Sequence, residues 1–226
     1  MYKIIIYKEV LEIVDLEEIV NRVVTKVKTK MSFEIEASGR HVHLDQSTLD
    51  RLFGPGYQLT PKKWLSQPEQ YASEERVTVK GPNGKLTKVA ILGPVREQTQ
   101  VEVSLTDARA LGIDAPIRES GHLENTPGVI LENGTKSVAL GIGTIIAQRH
   151  IHMTPHDAQL FNVKNGEIVQ VRANGLRPLI FDSVVVRVSQ KYATYMHVDF
   201  DEANACGLTK GLRGTIVKSS DCHANI

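Results

Sequence analysis

Arg76-Val-Thr-Val-Lys-Gly-Pro-Asn-Gly84 and Ile168-Val-Gln-Val-Arg-Ala-Asn-Gly175 carry the reading of the fold. In both, apolar and polar residues alternate and then run into Asn-Gly, a dipeptide suited to tight hairpins because both of its residues tolerate positive φ. Asn-Gly recurs at 133 and 165, among further short Val/Ile-rich runs. Punctuation of this kind implies a mainly β protein with few, short helices.

The resemblance extends outward from these segments. Upstream stand Arg40-His41-Val42-His43-Leu44 and Arg149-His150-Ile151-His152-Met153, with their first histidines 109 positions apart. Each is followed by an N-cap residue and a short helical stretch, Asp45 to Phe53 and Thr154 to Phe161. Downstream, Val101-Glu-Val-Ser-Leu-Thr-Asp-Ala-Arg-Ala-Leu-Gly-Ile113 matches Met196-His-Val-Asp-Phe-Asp-Glu-Ala-Asn-Ala-Cys-Gly-Leu208, a strand and a short helix closed by glycine. The chain therefore reads as an internal duplication: mainly β with short helices (α+β), in two similar six-stranded β-barrel domains. The expected division is an N-terminal extension at 1–30, a first repeat at 31–135 and a second at 136–226. The stretch from Ala115 to Gly143, with Pro116 and Pro127, reads as the connection between repeats. The strand leading into each histidine pair is free to join the neighbouring barrel.

Residues two apart in a strand face the same side, so His41 and His43 can converge on one cation while Val42 points away. His150 and His152 repeat the arrangement. Aligning the third match sets Glu102 opposite His197, so each repeat offers a pair and a third ligand: His41, His43 and Glu102, then His150, His152 and His197. Both sets have the composition of zinc sites that keep an open position, and both also suit Fe, Mn or Co. A lone strand histidine is more often a surface or hydrogen-bonded residue; the coincidence across both repeats favours metal. His122, His156 and His223 lack counterparts and read as structural or exposed. Arg40 and Arg149 read as a repeated salt bridge or strand-face charge. Arg96 lies in a Gly/Pro loop six residues before Glu102, with Lys191 as its counterpart, and a guanidinium beside a metal suits a bidentate grip on phosphate or carboxylate.

The 226 residues carry a net charge of +1, so no electrostatic footprint for nucleic acid or an anionic membrane is expected. No run reaches the roughly 18–20 apolar residues of a membrane helix. Cys206 and Cys222 belong to no paired motif, which points to a reducing, cytoplasmic setting. The apolar run at Ile4 to Ile6 lacks a cleavage site and does not read as a signal peptide. From Asp15 to Lys28, Leu16, Ile19, Val20, Val23, Val24 and Val27 recur at helical spacing, an amphipathic helix that either packs on its own domain or docks on a partner.

Over residues 33–218 the chain resembles the PduL-type phosphate propanoyltransferases, or phosphotransacylases. The resemblance rests on Ser38-Gly-Arg-His-Val-His-Leu44, Leu92-Gly-Pro-Val-Arg-Glu-Gln-Thr-Gln-Val-Glu-Val-Ser-Leu105, Arg149-His-Ile-His-Met153 and Met196-His-Val-Asp-Phe-Asp-Glu-Ala-Asn204. It implies two β-barrel domains, two zinc ions per chain, and exchange of acyl-CoA plus phosphate with acyl phosphate plus CoA. By the same resemblance each ligand set holds one zinc, Arg96 is the catalytic phosphate-binding residue, and Ala37, Ser38, Gly39 and Asn204 contact CoA. Gly39 and Ala90 depart from the pattern, standing where asparagine and a basic residue are usual. The N-terminal helix resembles those that direct relatives into bacterial microcompartments, with shell or cargo proteins as partners; other members work free in the cytoplasm. Propanoyl or acetyl preference, a homo-oligomer, and roles in propanediol degradation or acetate metabolism stay open. So do two other classes: a dimetal hydrolase (thioesterase or phosphatase), and a non-catalytic metal-binding module.

Overall fold

The computed structural model describes residues 19–23, 27 and 31–217. Residues 19–23 and 27 are helical, with Ile19, Val20, Val23 and Val27 exposed; the rest of the expected N-terminal helix, and Cys222 and His223, lie outside the described residues. From residue 31 the order is β1 (Phe33–Ala37), β2 (His41–His43), α1 (Gln46–Phe53), β3 (Pro61–Trp64), β4 (Tyr71–Lys80), β5 (Lys85–Gly93), β6 (Gln100–Val103) and α2 (Leu105–Leu111). Next come β7 (Ile117–Arg118), β8 (Ile130–Asn133), β9 (Lys136–Ala139), β10 (Thr144–Ala147), β11 (His150–Met153) and α3 (Pro155–Phe161). The chain continues with β12 (Ile168–Ala173), β13 (Leu179–Val188), β14 (Tyr195–Val198), α4 (Phe200–Cys206) and β15 (Arg213–Val217). The protein is mainly β, as its turn spacing implies, and its helices are short because each ends at an early cap. Gly112, Asn162 and Gly207 take left-handed conformations after α2, α3 and α4.

Six strands close a barrel in the order β1-β14-β11-β13-β12-β15. A second sheet runs β7-β10-β6-β2-β5-β4-β8-β9, with β3 on β4. The run β10-β6-β2-β5-β4-β8 repeats the barrel order, and its five pairings match those of the barrel in sense: parallel, antiparallel, parallel, antiparallel, antiparallel. Closure is the difference. β15 pairs back onto β1, whereas β8 turns through Gly134 into β9 and leaves its sheet curled but open. The edge is stitched by loop bonds instead, with Thr144 N–H on the Pro127 carbonyl at 3.0 Å and Gly143 N–H on Thr126 Oγ1 at 2.9 Å. Pro127 has no N–H to give a ladder at this edge. The stretch read from sequence as a connection thus contains the β8–β9 hairpin.

Each sheet borrows a strand from the other repeat. β1 precedes the first histidine pair but completes the barrel of the second, and β10 precedes the second pair but lies parallel to β6 of the first. Phe33 and Ile35 enter the barrel core with Ile151, Met153 and Val186, while Ile146 enters the other core with Val42, Leu44 and Ile91. Burial of each such side chain contributes roughly 1.5–3 kcal/mol, so the exchange binds the two sheets together. Two glycines mark a further repeat: a Cβ on Gly84 would stand 2.4 Å from the Ala110 carbonyl oxygen, and one on Gly175 2.3 Å from that of Cys206. Both Asn-Gly turns abut the C-terminal end of the helix after the third-ligand strand.

Candidate metal centre and active-site cavity

The third ligands are the cross-strand partners of the first histidines. Glu102 on β6 stands in register with His41 on β2, and His197 on β14 in register with His150 on β11. Threonines lock these strands to the helices that follow the histidine pairs. Thr99 donates to Asp45, the N-cap of α1, and receives Asp45 N–H at 3.0 Å; Thr194 donates to Asp157 and receives Thr154 N–H at 3.3 Å. Arg40 and Arg149 form the repeated salt bridge: Arg40 Nη2 lies 2.9 Å from Asp107, and Arg149 Nε 3.1 Å from Glu202. Those two carboxylates also occupy equivalent capping-box positions in α2 and α4.

In the first set, His41 Nδ1–H donates to the Gly39 carbonyl at 2.8 Å, which turns Nε2 toward the other two ligands. That atom faces His43 Nε2 at 3.2 Å and Glu102 Oε2 at 3.4 Å. A tetrahedral ion with arms of about 2.0–2.1 Å has ligand edges of about 3.3 Å, so the three atoms fit one cation. The three residues are buried, and their ligand atoms all lie within 4.8 Å of one another. Burial pulls the His41 pKa down, yet the Glu102 charge, its hydrogen bond and the Gly39 carbonyl together carry it above the usual histidine value. Burial raises Glu102, but His41, His43 and Arg96 outweigh it and hold the carboxyl well below the carboxylate range. His43 is driven well below its ordinary value, by burial and then by His41 and Arg96.

In the second set the ring centroids are 4.6 Å apart for His150 and His152, 5.3 Å for His150 and His197, and 5.1 Å for His152 and His197. His150 Nδ1–H donates to the Gln148 carbonyl at 2.8 Å, as His41 does to Gly39. Burial and the neighbouring histidines lower His152 to about 2 and His197 to about 3, so both stay neutral and able to bind a cation. His43 Nδ1 and His152 Nδ1, equivalent in the repeat, are buried without a hydrogen-bond partner among the described residues.

Both sets open onto one cavity of about 480 Å³ between the two sheets. Ala37, Ser38, Gly39 and Arg96 line it, whereas Asn204 lies exposed on α4 outside the lining. Phe200, one turn earlier, does reach the mouth. A Cβ on Gly39 would come within 2.5 Å of the Phe200 ring, so glycine makes room for that aromatic. Lys191 is exposed and absent from the lining; besides Arg96 and the Asp107-paired Arg40, the cavity holds Arg187, in register with His152 on the adjoining strand. Arg187 aligns with Leu92, which faces His43 in the first repeat, and a charge within Val-Val-Val-Arg-Val is the signal that could have marked it. Tyr192 stacks on His152 at 4.2 Å, and Gln67 crosses between the repeats to exchange hydrogen bonds with the Ala193 backbone. Neither follows from spacing.

A phosphate propanoyltransferase family model matches residues 34–209. The chain belongs to the phosphate propanoyltransferase family. It is 60% identical to the phosphate propanoyltransferase of Enterococcus faecalis over 205 residues, which cover 90% of this chain and 97% of that one. The Listeria monocytogenes enzyme of the same name is 55% identical, across 91% of this chain and 96% of the other, and that of Clostridioides difficile 54%, across 91% and 98%. Phosphate propanoyltransferases are acyltransferases, and the family implies CoA and phosphate as substrates. Among the described residues no helix is long and apolar enough to cross a membrane.

Proposed function

We propose that this chain interconverts acyl-CoA plus phosphate with acyl phosphate plus CoA, propanoyl or acetyl being the acyl group, in a cavity carrying two zinc ions and without an acyl-enzyme. One observation carries the reading: two histidine-rich ligand sets share one cavity with the guanidinium groups of Arg96 and Arg187, beside Arg40, whose charge is paired with Asp107. Two anionic substrates must meet there, and such a cavity offsets their repulsion. His41, His43 and Glu102 would hold one ion and His150, His152 and His197 the other; bound there, the metals supply Lewis-acid stabilisation of developing negative charge.

The protein's own groups set the positions. Arg96, anchored through its backbone N–H to the Leu44 carbonyl at 2.9 Å, presents its guanidinium to phosphate, and Arg187 adds charge beside His152. Ala37, at the end of β1, and Ser38 and Gly39 after it run along the wall and would receive the thioester end of CoA, with Asn204 farther out toward the nucleotide. Among the described residues no cysteine lines the cavity; Cys206 is buried in the barrel core with its thiol raised by burial, consistent with direct attack by phosphate. Much of the rate gain then comes from holding phosphate and thioester side by side. The two repeats, 31–135 and 136–226, act as one catalytic unit, and the extension at 1–30 would serve as an address for a bacterial microcompartment.

The test follows free thiol from propanoyl-CoA or acetyl-CoA with zinc-loaded protein, with and without phosphate. Thiol release that requires phosphate and yields acyl phosphate is expected. Release without phosphate would mark a hydrolase, and zinc binding without turnover a metal-binding module.

A further inference from the structure

Ser120 belongs to the stretch between the repeats, where no ligand motif points to it, yet it lines the cavity with Arg96 and Glu102. Its hydrogen bonds can be assigned proton by proton. Gly121 N–H donates to Gln100 Oε1 at 2.8 Å, which fixes the orientation of that buried amide. Gln100 Nε2 then gives one proton to Glu102 Oε1 at 2.5 Å and the other to Ser120 Oγ at 2.8 Å. Arg96 Nη1, which can only donate, adds a second bond to Ser120 Oγ at 3.2 Å. Both acceptor positions of the hydroxyl are thereby used, and its own proton meets no acceptor among the described residues. Two fixed donors hold this oxygen on the cavity wall with its O–H still to be donated.

We propose that Ser120 is a substrate-binding residue whose hydroxyl donates a hydrogen bond to an oxygen of the phosphate group held by Arg96. The acceptor is inorganic phosphate in one direction and the phosphoryl group of acyl phosphate in the other. This rests on the acyl-transfer reading above, and it adds a neutral donor to a site otherwise described by charge. Because the oxygen is already held by Gln100 and Arg96, the donor needs no rearrangement when phosphate arrives.

Isothermal titration of inorganic phosphate into zinc-loaded protein tests the assignment independently of turnover, with zinc content and thermal unfolding measured alongside. Ser120→Ala should weaken phosphate binding about tenfold or more, the usual cost of a hydrogen bond to a charged group. Ser120→Thr, which keeps the hydroxyl, should restore most of the affinity, and Ser120→Gly should repeat the loss without the alanine methyl. The deciding comparison repeats Ser120→Ala in an Arg96→Ala background, read as phosphate affinity and phosphate KM. A loss that persists there shows direct donation. A loss that vanishes there, or no loss in the single variant, overturns the proposal. Failure of the transfer reading is distinguishable: wild-type protein would release thiol without phosphate, while the titrations would still decide Ser120. A wild-type protein that binds no phosphate overturns both.

Discussion

The two repeats place their ligands on strands of matching order and register, but close their sheets and balance their charges differently. In the barrel repeat, His150 faces His197, and three imidazoles, His152 buried and the other two half-buried, cluster with no carboxylate among them. In the open-sheet repeat, His41 faces Glu102, and the carboxylate reverses the effect of burial on its partner. Strand pairing thus sets where a ligand stands, and one side chain at that position sets the charge a bound ion would feel. One dication beside a carboxylate keeps a net charge near +1, and one among neutral imidazoles keeps +2. The two ions would therefore stabilise an oxyanion or thiolate unequally, which a perfect duplication would not provide.

The largest expected effect strikes both ligand sets alike. Turnover should fall more than about a hundredfold in His43→Ala and in His152→Ala, each with roughly one zinc lost per chain; full zinc occupancy in both variants would discard the two-site assignment. In metal-free protein, His41→Ala leaves Glu102 buried without its partner and should cost about 3–5 kcal/mol by urea unfolding. His150→Ala faces no carboxylate and should cost clearly less, so equal losses would dissolve the contrast between the clusters.

A smaller effect separates the cations. Arg96→Ala should raise the phosphate KM about ten- to a hundredfold with zinc content preserved, while Lys191→Ala, removing an exposed charge, should leave it within about twofold. A large Lys191 effect would restore the simple alignment of the two residues.

The smallest effect is a pH slope in metal-free protein. His150, His152 and His197 have folded values below 6.5, so the unfolded chain takes up protons first and stability falls as pH drops below 6.5. The slope is at most about 1.4 kcal/mol per pH unit for each ring. His41, with its raised value, contributes stability that is full below 6.5 and lost as pH rises through the folded value. Glu102 contributes above 4.5 and loses that contribution as pH falls through its depressed value. His152→Asn should therefore flatten the fall in urea midpoint between about pH 7 and pH 5. An unchanged slope would contradict the depressed value of that ring.

Local pattern made much of this legible. Alternation, Asn-Gly turns and N-caps act over a few residues, so β4, β5, β12, β13 and the caps at Asp45 and Thr154 could be read from the chain. His-x-His has the two-residue period of a strand, and duplication supplied the third ligands. Gln100 shares that period, two positions before Glu102 on the same face, yet a lone glutamine carries no chemical signature. Arg187 was hidden because alignment compares positions in the chain, whereas a cavity can be charged from any wall. The exchange of β1 and β10 was open to either outcome, since both strands are apolar enough for either core.

The amino-acid order by itself determined the duplication, the β character and the six ligand types, because these depend on side-chain chemistry at short, periodic spacing. Only the tertiary structure decided that one barrel closes while the other sheet stays open, that both ligand sets face one cavity, and that Ser120, Gln100, Gln67 and Arg187 join them. Those outcomes depend on long-range strand pairing and on which buried polar atoms find partners, and neither is encoded within a few residues.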